Sequence, residues 1–200
     1  MTWWSEPTQA FSDRGKVVVV GSGAGGALAA VTLAEAGLDV IVLEEGYRHL
    51  PQDFPAEISI AIASMFVEGG FRTMSGRPPM PLAGGKALGG STVVNSAICF
   101  RTPEAILEEW NALSGGVFDD TGDYYRAMDE VEACLGVGAT PDRLLSGLDK
   151  AHKEAATKLG WSNYNFRRNT PMCVGCGRCN SGCVAGGKNS MDRVFLPRAA

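Results

Sequence analysis

Histidine, long apolar runs and clustered positive charge are all scarce in this chain of 200 residues, and each scarcity narrows what the chain can do. There are two histidines, His49 and His152, and neither stands beside residues that would make it a nucleophile's partner. Lys and Arg total 18 against 22 Asp and Glu, a net charge of −4, and only Arg167 and Arg168 stand together. No basic stripe is available to track phosphates, so a nucleic-acid partner is not expected. The longest apolar run, Ile58 to Val67 ("ISIAIASMFV"), is too short to cross a bilayer and is interrupted by serines. The first residues, "MTWWSEPTQAFSDRGK", have neither a basic start nor an apolar core, so no secretory signal is read and a cytoplasmic setting is the expectation. Cysteine is sparse outside one stretch: four of the six lie in "CVGCGRCNSGC", 173–183.

Glycine, by contrast, is plentiful at 26 residues, and it is gathered into blocks. Residues 16–46 read "KVVVVGSGAGGALAAVTLAEAGLDVIVLEEG". Val17 to Val20 is short, β-branched and continuously apolar, as in a strand buried on both faces of a parallel sheet. Gly21, Gly23 and Gly26 follow as G-x-G-x-x-G. An alanine-rich helix is predicted from about Gly25 to Ala36, with Gly37 as its C-terminal cap. A second strand, Val40 to Leu43, ends at Glu44.

This order has a physical basis. Gly21 permits a tight turn, Gly23 lets the backbone approach a pyrophosphate, and Gly26 lets helix and strand pack closely. Free amides at the helix start receive the negative charge. Glu44 stands where a carboxylate accepts hydrogen bonds from an adenosine ribose. The stretch therefore reads as a dinucleotide site formed by Gly21, Ser22, Gly23, Ala24, Gly25, Gly26 and Glu44. An acid at Glu44 disfavours NADP and leaves both NAD and FAD open.

A second block, residues 84–103, reads "GGKALGGSTVVNSAICFRTP". Its composition suits a loop folded over a cofactor and suits a mobile connection equally well. The spacing G-K-x-L-G-G-S-T-x-V-N, Gly85 to Asn95, resembles the amino-terminal signature of the glucose–methanol–choline (GMC) oxidoreductases, which bind FAD. The stretch ending "VLEEG" is similar to that family too. The resemblance implies an α/β fold: the amino-terminal, incomplete portion of a Rossmann-like FAD-binding domain, with helical insertions. It would occupy residues 16–200 behind an extension at 1–15. The resemblance also implies that Gly89, Gly90, Ser91, Thr92 and Asn95 lie along the pyrophosphate and flavin ring. Where some members carry a histidine covalently joined to the flavin, this chain has Val94, so FAD would be held non-covalently.

Between the blocks, residues 47–83 read as an excursion with a short apolar helix around Ile58 to Val67, and His49 as solvated or structural. A helical excursion is expected over 102–160. Thr102 is the expected N-cap before "EAILEEW", with Pro103 in the first turn. A stripe of Tyr124, Met128, Val131 and Leu135 should be buried, with Cys134 a small buried neighbour. A further helix, about Asp142 to Leu159, should bury Leu144, Leu145, Leu148, Ala151, Ala155 and Leu159.

Cys173, Cys176, Cys179 and Cys183 follow C-x2-C-x2-C-x3-C, the ferredoxin run with Val184 in place of its proline. An iron–sulfur cluster would need a remote ligand, Cys99 or Cys134, or would hold three irons on three cysteines. Zinc on thiolates stays open, as does a disulfide, although the reducing setting expected disfavours it. The segment "C-G-x-C-x-x-G-C-x-x-G-x-K-N-S", Cys176 to Ser190, resembles one in cholesterol-oxidase-like and long-chain-alcohol-oxidising GMC members. The resemblance implies a tight loop with reduced thiols that belongs to the flavoprotein itself.

The activity implied is hydride transfer from a CH–OH carbon of an alcohol or sterol to FAD, with a base taking the hydroxyl proton. The family's catalytic histidine lies in a carboxyl-terminal region without a counterpart in these 200 residues, so no catalytic residue is assigned. The chain is read as an amino-terminal portion that binds FAD poorly alone, with an electron acceptor or a partner chain supplying what is missing. Two alternatives are a non-catalytic electron-transfer or assembly subunit built on the cysteine loop, and an NAD-dependent reductase.

Overall fold

The computed structural model describes residues 4–10, 12–118 and 121–200. In chain order its elements are β1 (Val17–Val20), α1 (Ala24–Glu35), β2 (Val40–Leu43), α2 (Ile58–Met65), β3 (Thr73–Met74), β4 (Met80–Pro81), α3 (Glu104–Ser114), α4 (Thr121–Leu135), β5 (Gly138–Ala139), α5 (Gly147–Lys158) and β6 (Arg167–Arg168). A one-turn helix, Met191–Val194, follows. They form two compact units: residues 1–96 with 176–200, and residues 97–175.

The first unit is built on β1–α1–β2. The two strands run parallel, Val17 opposite Val40 through Val20 opposite Leu43, and α1 is the crossover between them. Small residues on α1, among them the buried Ala27, Ala30 and Val31, let the helix lie close to the strands. The helix ends as expected. Gly37 takes φ +79°, its N–H bonds Ala34 C=O at 2.8 Å, and Leu38 N–H reaches Leu33 C=O at 3.1 Å. These two bonds satisfy carbonyls that the last turn would otherwise leave open. One expectation fails: β1 is not covered on both faces. Val18 and Val20 are exposed, Val20 at 82%. The described sheet has two strands here and α1 on one side, so alternate side chains meet no second layer.

A core of Ala61, Met65, Ala87, Val93 and Val94, flanked by Phe54 and Phe66, joins α2 to the second glycine block. Antiparallel β3 and β4 make a small separate hairpin. The sheets are small throughout, and helices and irregular segments fill the rest.

The second unit carries α3, α4 and α5 with the short antiparallel pair β5–β6. Its α4 stripe is only partly as the spacing predicts: Leu135 is buried, whereas Tyr124, Met128 and Val131 are half-buried. Three details differ. Pro103, not Thr102, is the N-cap of α3, and the Thr102 hydroxyl instead bonds the Tyr124 hydroxyl at 2.8 Å. Cys134 is exposed, because it falls one position off the apolar stripe. Helix α5 starts at Gly147 and buries nothing; Leu148 and Leu159 are 73% and 61% exposed. Local chemistry sustains it. Ser146 Oγ accepts from Asp149 N–H at 3.2 Å while the Asp149 carboxylate takes the Ser146 N–H at 2.9 Å, a reciprocal capping box. Among the described residues no helix is long and apolar enough to cross a membrane.

Candidate functional site

The two glycine blocks, separated in the chain by residues 47–83, meet in the first unit. Gly21 takes φ +90° and its N–H bonds Leu43 C=O at 2.7 Å, so the turn leaves β1 beside the end of β2. A Cβ on Gly26 would stand 1.9 Å from Gly21 O, which makes glycine obligatory where helix and strand touch. At Gly90, φ is +57° and a Cβ would stand 2.7 Å from Gly23 Cα, so the second block lies directly on the first.

A side-chain relay locks this contact. Ser22, fully buried, donates its hydroxyl to Glu44 Oε2 at 2.7 Å and accepts from Gly89 N–H at 2.8 Å. Glu44 Oε2 also takes Ser22 N–H at 2.9 Å, and Oε1 takes Gly46 N–H at 2.9 Å. The carboxylate that the sequence assigns to a ribose therefore also ties β2 to both blocks. Oε2 is filled by its two bonds from Ser22, but Oε1 accepts one bond and keeps a second lone pair, so the two roles are compatible.

Other predicted residues divide in the same way. The Thr92 hydroxyl donates to Gly89 C=O at 2.6 Å and accepts from Met191 N–H at 3.1 Å. Ser91 Oγ accepts from Gly85 N–H at 2.8 Å. The hydroxyls thus shape the loop rather than project from it. Asn95 is exposed, whereas its neighbour Val94 is 4% exposed and packs in the core. What remains free for a ligand is backbone. The first intrahelical bond of α1 runs from Ala27 N–H to Gly23 C=O at 2.9 Å, so the amides of Ala24, Gly25 and Gly26 have no partner within the helix. Among the described residues no side chain caps this end, and no acid lies in its first turn. A Cβ built on Gly25 would meet nothing within 4 Å. Open donors, positive helix-end charge and room for close approach suit a pyrophosphate.

Residues 176–200 complete the back of the site, and here sequence reasoning missed the decisive groups. Lys188, 1% exposed, donates from Nζ to the carbonyls of Val93 at 2.6 Å, Cys179 at 2.9 Å and Asn95 at 3.1 Å. Asp192, also buried, accepts from Ser190 Oγ and lies against Gly89, where a Cβ would stand 3.0 Å from its Oδ1. Burial pushes its carboxyl pKa up, partly offset by the Ser190 bond and by Arg193 and Arg48. A cavity of about 270 Å³ borders this region, lined in part by His49, Phe54, Val93, Lys188 and Asp192; it is distinct from the Gly21–Gly26 turn. His49 stacks on Phe54 with ring centroids 6.0 Å apart, and burial lowers its pKa, as for a structural histidine. The only sequence signal for Lys188 is a single lysine inside "GGKNS", bounded by glycines and small polar residues.

Comparison with known proteins fits this geometry. Residues 62–200 match the family model for GMC oxidoreductase, and residues 16–53 match one for an FAD binding domain. The chain belongs to the GMC oxidoreductase family. An uncharacterized GMC-type oxidoreductase of Mycobacterium tuberculosis is 39% identical over 187 residues, 93% of this chain and 30% of that protein. A long-chain-alcohol oxidase of Arabidopsis thaliana is 37% identical over 184 residues, 92% of this chain and 24% of that one. A cholesterol oxidase of Acinetobacter baumannii is 24% identical over 222 residues, 90% of this chain and 37% of that one. The chain thus spans well under half the length of these relatives.

The cysteines find a different place from the one their spacing suggested. None of the six is joined in a disulfide. Cys173 belongs to the second unit, while Cys176, Cys179 and Cys183 belong to the first. Among the described residues, no three His, Cys, Asp or Glu side chains are placed together to hold a metal ion. The donor set does not fit an iron–sulfur cluster or a zinc ion as the loop is folded. The loop is held by other groups: Ser96 Oγ donates to Asn180 Oδ1 at 3.0 Å, Arg178 bonds Pro55 C=O, and Lys188 bonds Cys179 C=O.

Proposed function

We propose that this chain is the FAD-holding part of an oxidoreductase that acts on the CH–OH group of a long-chain alcohol or a sterol. The observation that carries the reading is the junction of the two glycine blocks, the Ser22–Gly89 bond with Gly90 against Gly23. Neither block alone would select a flavin over another dinucleotide. In this reading β1–α1–β2 opens a Rossmann-like domain, and the amides of Ala24, Gly25 and Gly26 receive the pyrophosphate. Glu44, held by Ser22 and Gly46, presents the remaining lone pair of Oε1 to the ribose. Gly89, Gly90, Ser91 and Thr92 keep the second loop close to the dinucleotide, and the exposed Asn95 side chain reaches the flavin ring. Val94 is buried and chemically inert, so the flavin is held without a covalent bond. Bound FAD supplies acceptance of a hydride from the alcohol carbon. No residue of this chain is assigned the base that takes the hydroxyl proton. The names of the Arabidopsis and Acinetobacter relatives support the substrate class.

Titration of the purified chain with FAD and with NAD, read by quenching of flavin or protein fluorescence, tests the reading. FAD should bind at least tenfold more tightly than NAD, about 1.4 kcal/mol. Equal or reversed preference would remove the flavin assignment.

A further inference from the structure

Lys188 presents a physical puzzle. It is 1% exposed, and burying an ammonium costs several kcal/mol unless its donors are satisfied. An ammonium has three N–H donors, and three backbone carbonyls take them: Val93, Asn95 and Cys179. If the position needed only volume, methionine would fill it without that cost. The three acceptors show what the charge does. Two belong to the end of the second glycine block, and the third belongs to the cysteine-rich loop. One side chain therefore ties the loop from the end of the chain to the peptides on either side of Val94.

Those peptides fix where Asn95 stands. Val93 and Val94 are anchored in the core with Ala61, Met65 and Ala87, and the carbonyls of Val93 and Asn95 point to Nζ. With side chains gripped on the core and carbonyls gripped on the lysine, the backbone at residues 93–95 has one orientation. That orientation leaves the Asn95 side chain exposed.

We propose that Lys188 is a positioning residue for the flavin: it holds the Val93–Asn95 backbone that carries Asn95, and its buried positive charge favours the reduced, more negatively charged state of the bound FAD. This rests on FAD lying along the second glycine block. In surroundings of low polarity a fixed charge acts over several ångströms with little screening, so its removal should register in the flavin's redox equilibrium. It also gives the cysteine-rich loop a role, as the wall that supplies the lysine's third acceptor.

The test uses the purified chain, unsubstituted, as Lys188→Met, and as Asn180→Ala. The last breaks the neighbouring Ser96–Asn180 bond and leaves the charge in place. Three readouts are taken: FAD affinity by titration, the reduction midpoint of FAD at saturation, and hydrogen exchange of amides 92–97 without ligand. Lys188→Met should weaken FAD binding about tenfold and speed exchange in that segment. It should also shift the oxidised-to-reduced equilibrium about tenfold toward oxidised, about 30 mV more negative for a two-electron couple. Asn180→Ala should leave the midpoint unchanged. If FAD binds the unsubstituted chain and Lys188→Met changes only exchange, the lysine is a structural tie and the proposal is overturned. If the unsubstituted chain binds FAD no more tightly than NAD, the flavin reading falls and this inference falls with it. Should Lys188→Met fail to fold, Lys188→Arg keeps the charge on a planar head that cannot match three carbonyls. It must then lower affinity while leaving the midpoint within about 10 mV, roughly twofold in the equilibrium; an unchanged affinity overturns the proposal.

Discussion

The two units hold themselves together by opposite means, and one carboxylate in each displays the contrast. In the first unit Asp192 is buried beside Gly89, and loss of water pushes its pKa up. In the second, Glu132 sits between two arginines. Arg101 Nε and Arg167 Nη1 both reach Oε1, at 3.1 and 2.6 Å, and Arg167 Nη2 reaches Oε2 at 2.7 Å. The Arg101 hydrogen bonds first, and those from Arg167 next, draw its pKa down to about 2. The first unit relies on close backbone approach at glycines and on buried polar groups held by hydrogen bonds. The second buries Leu107 of α3 and Leu135 of α4 and ties α4 to Arg101 and to β6 by partly exposed ion pairs. A unit built by close approach can hold a ligand against its backbone. That difference is why the cofactor reading belongs to the first unit.

The sharpest way to break the contrast is at Gly26. Gly26→Leu would drive a side chain into Gly21 O and should abolish soluble, folded first unit, a loss above about 4 kcal/mol. Gly25→Ala, one residue away and facing open space, should instead raise thermal stability by about 0.5–1 kcal/mol through helix propensity. A similar loss in both variants would show that the close contact at Gly26 is not what holds the turn.

Next in size is the ion network. Glu132→Gln leaves Arg101 and Arg167 without their shared carboxylate, and about 1–2 kcal/mol should go from the second unit, since the pairs are bidentate but partly exposed. Protonation should do the same reversibly. Glu132 has a folded pKa below its ordinary 4.5, so its contribution is complete above that value and is lost as pH falls from 4.5 toward about 2. Asp192 has the reverse sign. Its folded pKa lies above the ordinary 3.8, so its contribution is complete below 3.8 and is lost as pH rises through its raised value. Melts at several pH values, followed by amide exchange in each unit, should show slopes of opposite sign. Glu132→Gln should flatten one slope and Asp192→Asn the other.

The smallest effects belong to α5. Ser146→Ala removes the capping box and should cost about 1 kcal/mol, whereas Leu148→Ser should stay within about 0.5 kcal/mol because that leucine is already solvated. A larger loss at Leu148 would mean that α5 has an apolar partner.

What the sequence makes legible follows from the range of the interactions involved. The β1–α1–β2 order, its glycines and the Gly37 cap are readable because each is fixed within a few residues of chain. The match at Gly85–Asn95 is readable as a pattern, but its contact with Gly23 is not, because Ser22, Glu44 and Gly89 meet only after folding. Lys188 and Asp192 escape notice for the same reason: single charged residues in a glycine-rich segment carry no periodicity. The burial expected of α5 fails because its leucines obey helical spacing while a local capping box, not packing, supports the helix. The cysteine spacing misleads in a comparable way, since even Cys176, Cys179 and Cys183, all in the first unit, are not placed together among the described residues to hold a metal.

The most direct test of the central claim is a nitrogen-15 NMR titration of the purified chain with FAD. The account predicts concentration-dependent amide shifts in both Gly21–Gly26 and Gly89–Asn95, with α5 unmoved. Shifts confined to one block would contradict a flavin held where the two glycine blocks meet.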